Sequence, residues 1–189
     1  MSIKIGIIGA AGTGKSSLAE SVSAKMNIPN LKSREITESI LKRDGYDYSS
    51  GIQIERFLAN TGRQNEILRR TIEQQNVPDF VTDRTVVDLA AYAVCEIHHS
   101  DVTALRRIMD TCRKNVEIYT HLFLCPWKDA PVQDTQKRTL NPWYQFMIHA
   151  IERGILDDWG CKYTILSETD REKRLEEIFS IVHASNPSC

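Results

Sequence analysis

Short apolar runs alternate along this chain with longer segments in which apolar residues return every three or four positions. The runs Lys4–Ile8, Phe80–Thr82, His121–Leu124 and Lys162–Leu166, with a shorter one at Pro29–Lys32, read as strands. Between them the spacing predicts helices over Lys15–Met26, Ile36–Lys42, Ile52–Gln75, Val86–Ile97, Asp101–Lys114, Pro142–Asp158 and Asp170–His183. The last is the most sharply drawn: Thr169 and Glu172 stand at capping-box spacing, and Leu175, Ile178, Phe179 and Val182 recur on one stripe. Strands and helices in this alternation predict an α/β fold, a parallel sheet covered by helices on both faces. No repeat, low-complexity tract or linker interrupts the order, so residues 1–189 are expected to form one domain. One segment departs from it. Pro126–Leu140 is polar, holds two prolines and has no periodicity, and a loop of that length in a compact domain is usually functional, here a candidate lid.

Composition narrows the picture modestly. With 24 basic and 25 acidic residues the charge is balanced, which argues against a nucleic-acid coat protein and leaves room for a local basic groove. Five widely spaced cysteines without a CxxC pair suit reduced thiols in a cytoplasmic protein, most of them core filler, and His98-His99 has no ligand cluster beside it. No apolar run is long enough to span a membrane, and the first strand begins too early for a signal peptide.

The chemistry is concentrated at one place. Directly after the first strand, Gly9, Ala10, Ala11, Gly12, Thr13, Gly14, Lys15 and Ser16 complete the pattern GxxxxGK[ST], and Ser17 continues into a helix. Glycines let backbone N–H groups wrap a phosphate, and the helix start faces the anion. Lys15 is placed to reach the β- and γ-phosphates, and the Ser16 hydroxyl to ligate Mg²⁺. A turn alone would need neither the lysine nor the hydroxyl. The motif points to a nucleoside triphosphate, without choosing among kinase, switch and motor.

Phosphoryl transfer also needs a metal carboxylate, a cation on the moving phosphoryl and an acid to orient the nucleophile. Asp83 and Arg84 end the third strand, at the carboxyl edge where ligands sit in parallel sheets; Asp83 is a candidate metal ligand, and the alternative is an exposed ion pair. Glu35 follows the second strand, as a general base or simply as an acid favoured by a helix start. In the candidate lid, Lys128, Lys137 and Arg138 flank Asp134, and Arg138 is the cation best suited to close on a γ-phosphate, against the alternative of a solvated loop. Helix Ile52–Gln75 carries Gln53, Arg56, Arg63, Gln64 and Arg69 on polar positions, readable as an acceptor-reading edge or a solvated face. Trp143, Tyr144 and Phe146 favour core packing over base stacking.

With these motifs in place the chain resembles the small P-loop kinases, a group spanning nicotinamide riboside kinase-like ATPases, phage nucleotide kinases and phage kinases of hydroxymethylated pyrimidines in DNA. The resemblance rests on the phosphate loop, on Asp83-Arg84 followed by Asp88 and Ala91-Tyr92, and on Asp134 and Arg138-Thr139-Leu140. The group's lid often reads Asp-Gly-x-Arg, whereas this one lacks the glycine and has one residue more. Arg34-Glu35 is similar to the Arg-acid step where polynucleotide kinases place a base. The resemblance implies a five-stranded P-loop NTPase sheet in the order 2-3-1-4-5. It also implies an ATP- and Mg²⁺-dependent kinase with catalytic Lys15, Glu35, Asp83, Arg84 and Arg138, and metal ligands Ser16 and Asp83. The acceptor is then a hydroxyl of a nucleoside, nucleotide or hydroxymethylated DNA base, in the host cytoplasm if the source is a phage. A regulatory NTP switch or an ATPase without an acceptor is the rival, weakened by the lack of an Asn/Thr-Lys-x-Asp guanine motif.

Overall fold

The structure, a computed structural model, describes residues 2–46, 59–97, 101–128, 141–168 and 170–185. Strands β1 (Lys4–Ile8), β2 (Asn30–Leu31), β3 (Phe80–Thr82), β4 (His121–Leu124) and β5 (Thr164–Ile165) form one parallel sheet in the order β2-β3-β1-β4-β5. This is the order that the kinase resemblance implies. β1 holds the centre because its isoleucines are buried on both faces, with Ile5 opposite Val81 on one side and His121 on the other.

Strand alternation then divides the core. Ile5, Ile7, Val81 and Phe123 face helices α1 (Lys15–Met26) and α7 (Arg171–Ser185), meeting Leu18, Val22, Leu175, Ile178 and Val182. Ile8, Phe80, Leu122 and Leu124 face the larger layer of α2 (Ser33–Arg43), α3 (Thr61–Gln74), α4 (Val86–Ile97), α5 (Val102–Asn115) and α6 (Pro142–Asp158). Each such Ile, Leu or Phe contributes roughly 1.5–3 kcal/mol by leaving water, which is why packing outranks local propensity here. Cys112 and Cys125 lie in these cores, as core filler should.

Several element ends differ from the sequence expectation. The second helix starts at Ser33, not Ile36, so Glu35 lies inside its first turn; Arg34 pairs with Glu38 one turn on, and the acid complements the helix dipole. The long helix expected from Ile52 instead begins at Thr61, because the Asn60 side chain accepts the Arg63 N–H at 3.0 Å and caps it; residues 47–58 lie outside the described residues. The final helix starts at Arg171, with Asp170 Oδ1 accepting the N–H groups of Glu172 and Lys173, and the expected capping residue Thr169 lies outside the described residues. β2 and β5 are two residues long because each pairs on one side only. Among the described residues no helix is long and apolar enough to cross a membrane.

Candidate active site

Strand β1 delivers the chain into the loop at Gly9, where φ is +147° and a Cβ would stand 2.9 Å from the Cys125 carbonyl oxygen, so only glycine fits. Gly14, at φ +86°, turns the loop into α1. The Lys15 ammonium folds back onto the loop, donating to the carbonyls of Gly9 and, at 3.1 Å, Ala10. Thr13 closes the turn through its hydroxyl on the Ala10 carbonyl at 2.9 Å. The N–H groups opening α1, from Lys15 to Ser17, have no carbonyl one turn back and face the loop's mouth, as at any helix start.

Two side chains brace this loop from distant parts of the chain. Arg174, buried on α7, donates through Nη1 to the Thr13 carbonyl and through Nε to the Glu168 carbonyl, each at 2.6 Å. Gln145, buried on α6, accepts the Ala11 N–H at 2.9 Å through Oε1. Sequence reading missed both. The signal was present: Arg174 interrupts the apolar stripe of Leu175, Ile178 and Val182, and Gln145 interrupts that of Ile148, Ile155 and Leu156.

Strand β3 brings Asp83 to the loop. The Ser16 hydroxyl donates to Asp83 Oδ2, so the two expected metal ligands sit side by side. Arg84, the next residue, lays its guanidinium 5.2 Å from the Tyr92 ring centre. Its backbone is fixed by a buried relay: Gln75 donates to the Arg84 carbonyl at 3.0 Å and accepts from the Tyr119 hydroxyl at 2.6 Å, which in turn accepts the Val86 N–H. Glu35 is exposed, and its N–H donates to the Lys32 carbonyl at 3.1 Å. Lys32 marks this corner of the site: its ammonium, paired with Glu20 at 3.0 Å, is held above its ordinary pKa first by Glu20 and further by the charges of Glu35 and Asp83.

Behind the loop lies a buried pair of acids. Asp88 is the third helical residue of α4 and closes a capping box, its Oδ2 accepting both the N–H and the hydroxyl of Thr85 at 2.8 Å. Glu152 of α6 is fully buried against Asp88, and neither of its carboxyl oxygens meets an N–H or hydroxyl donor among the described residues. Burial pushes both carboxyl groups upward, and the Asp88 charge pushes Glu152 further, while Lys15 and Arg84 pull both back.

The structure places other candidates elsewhere. Arg63 pairs with Asp44 at 2.7 Å and lies over the Tyr46 ring, and Arg69 pairs with Glu73 at 2.6 Å. Gln64 is buried. The expected core role of Trp143 and Phe146 does not hold: they are 68% and 45% exposed and gather with Trp127 in a surface cluster, because the buried face of α6 is taken by Gln145, Ile148 and Glu152. Gln53, Arg56, Asp134, Lys137 and Arg138 lie outside the described residues, as do His98 and His99.

A family model described as "AAA domain" matches residues 4–174, nearly the whole chain. The chain belongs to this family. Comparison with curated proteins finds no match. Among solved structures, this AAA domain protein is similar to the NadR protein in complex with NAD and AMP-PNP, at 14% identity and a TM-score of 0.70, over 100% of this chain and 50% of that one. It therefore spans half the length of the NadR chain. It is also similar to deoxyadenosine kinase from M. mycoides, at 15% identity and a TM-score of 0.65, over 97% of this chain and 100% of that one. Shikimate kinase from Acinetobacter baumannii matches at 10% identity and a TM-score of 0.58, over 98% of this chain and 96% of the other. At these identities the shared property is the fold, that of the P-loop kinases.

Proposed function

We propose that this AAA domain protein is a kinase transferring the γ-phosphate of ATP to a hydroxyl of a nucleoside or nucleotide. The observation that carries the reading is the junction of Ser16 with Asp83 at the mouth of a complete phosphate loop, with the Glu35 and Lys32 corner beside it. That pair equips the loop for a metal–triphosphate complex, a need that switches and ATPases share, and the kinase-named neighbours of this fold favour transfer over hydrolysis. A hydroxyl next to a carboxylate is a hard-oxygen donor set that fits Mg²⁺, which keeps waters and phosphate oxygens as its other ligands. When bound there, Mg²⁺ neutralises charge on the β- and γ-phosphates.

In this reading the N–H groups from Gly12 to Ser17 cradle the triphosphate, and Lys15 leaves the Gly9 and Ala10 carbonyls for the bridge between β- and γ-phosphates. Glu35 accepts the proton of the acceptor hydroxyl. Arg84, steadied by Gln75 and Tyr119, offers positive charge to the acceptor or the moving phosphoryl, and Arg138 closes from the 126–140 segment. The kinase neighbours support this assignment: deoxyadenosine kinase structures are named with bound dATP and dCTP, and the shikimate kinase with shikimate. A small acceptor is favoured over DNA because Arg63 and Arg69, two of the cations available for a phosphate track, are already paired with Asp44 and Glu73.

The test is a panel: γ-labelled ATP and Mg²⁺ with nucleosides, nucleoside monophosphates, nicotinamide riboside, and DNA with and without hydroxymethylated pyrimidines. Label in a nucleoside or nucleotide supports the proposal, whereas label in DNA alone moves the acceptor to the polymer. With no labelled acceptor and only inorganic phosphate released, the protein is an ATPase.

A further inference from the structure

The N–H of Ala11 lies inside the phosphate loop, two residues beyond Gly9, yet it is not offered to a ligand. Gln145 takes it at 2.9 Å from a helix 134 residues further along the chain, and the glutamine side chain is 2% exposed. Burying a polar side chain costs free energy unless its hydrogen bonds are met, so a glutamine on the apolar stripe of α6 is there for the bond it makes. The same stripe carries Glu152 two turns later, so α6 presses two polar groups against the phosphate loop and the cap of α4. Ala11 adjoins Ala10, whose carbonyl holds the Lys15 ammonium. This is the stretch of loop that faces the β–γ end of a triphosphate if Lys15 bridges those phosphates.

We propose that Gln145 is a positioning residue of the nucleotide site: its side-chain oxygen fixes the Ala11 peptide so that the loop's remaining N–H groups converge on the β- and γ-phosphates. The role rests on the proposed nucleotide reading. It makes the amide's neutrality as important as its reach, because any charge at this position lies beside the terminal phosphate. A carboxylate there would accept the same N–H and preserve the brace, but it would repel the anion. A leucine would fill the space and leave Ala11 without an acceptor.

The experiment uses the full chain and titrates ATP–Mg²⁺ and ADP–Mg²⁺ into the parent, Gln145→Glu, Gln145→Leu and, as a reference, Lys15→Ala, with thermal melts of each. At pH 8, where a buried carboxyl is most charged, Gln145→Glu is expected to melt several degrees below the parent while its ATP–Mg²⁺ affinity falls tenfold or more and its ADP–Mg²⁺ affinity falls several times less. Gln145→Leu is expected to bind both nucleotides three- to tenfold more weakly. A folded Gln145→Glu protein with parental ATP–Mg²⁺ affinity overturns the proposal, as does tighter binding by Gln145→Leu, which would mean that the glutamine competes with nucleotide. If Gln145→Glu does not fold, Gln145→Leu alone decides, with unchanged affinity counting against the role. Lys15→Ala separates the two readings: parental ATP–Mg²⁺ affinity in that variant removes the nucleotide site itself, whatever Gln145 does.

Discussion

Lys15 rests on the carbonyls of Gly9 and Ala10 and reaches the core only through its charge on Asp88 and Glu152, so its loss should be felt far more by the nucleotide than by the fold. Lys15→Ala is expected to melt within about 1 kcal/mol of the parent while transfer falls by two or more orders of magnitude, read by a thermal melt paired with a labelled-phosphate assay. The two acids should separate as cleanly. Asp83→Asn removes charge beside Ser16, so Mg²⁺ dependence and transfer should weaken together. Glu35→Gln keeps shape and removes only basicity, so ATP–Mg²⁺ affinity should hold while single-turnover transfer drops roughly 10²–10⁴-fold. A fully active Glu35→Gln enzyme would leave Glu35 as a helix-start acid and nothing more. At this scale the sequence was legible where chemistry is local. Eight consecutive residues spell the phosphate loop, whereas Arg174 and Gln145 reach it from helices far along the chain. Their purpose shows only as a polar residue misplaced on an apolar stripe.

Helix α6 and helix α4 meet at carboxyl groups, which makes their packing sensitive to protons. Glu152 and Asp88 hold their protons to a higher pH folded than unfolded, because burial disfavours both charged forms and the Asp88 charge adds to the effect at Glu152. The folded state therefore binds more protons above the ordinary carboxylate range, and stability must fall as pH rises through that range toward the raised values. Glu152→Gln, neutral at every pH, should flatten this dependence. Melting curves of parent and variant between pH 5 and 8 are expected to diverge by several degrees, with the variant the more stable at pH 8; parallel curves would show that the pair does not titrate with folding. The start of α3 is a simpler case. Asn60→Ala removes the acceptor for the Arg63 N–H and is expected to cost about 1 kcal/mol, or a few degrees in Tm. Helix interiors were legible from periodicity, and so were both ends of Lys15–Met26, Val86–Ile97 and Pro142–Asp158, whereas other ends were set by polar residues that the periodicity does not register. At Asn60 a single polar side chain overrides the apolar repeat, and at Ser33 the helix begins before its first buried isoleucine.

At the scale of the molecule, alternating runs gave a parallel sheet, and the strand order came from the resemblance that the phosphate loop and Asp83-Arg84 support. The acceptor was not legible, because no contiguous motif in the chain names one and the shared fold carries kinases with different acceptors. In the proposed reaction a phosphoryl group moves to an organic hydroxyl and is not merely released to water. Transfer and hydrolysis are told apart by following ATP, ADP, phosphate monoester and inorganic phosphate together by ³¹P NMR, in Mg²⁺ with a mixture of nucleosides and nucleoside monophosphates. The expected result is a new phosphorylated nucleoside or nucleotide that accounts for most of the γ-phosphate lost, and that disappears with Lys15→Ala. Loss of γ-phosphate matched one for one by inorganic phosphate, whatever acceptor is present, would contradict it.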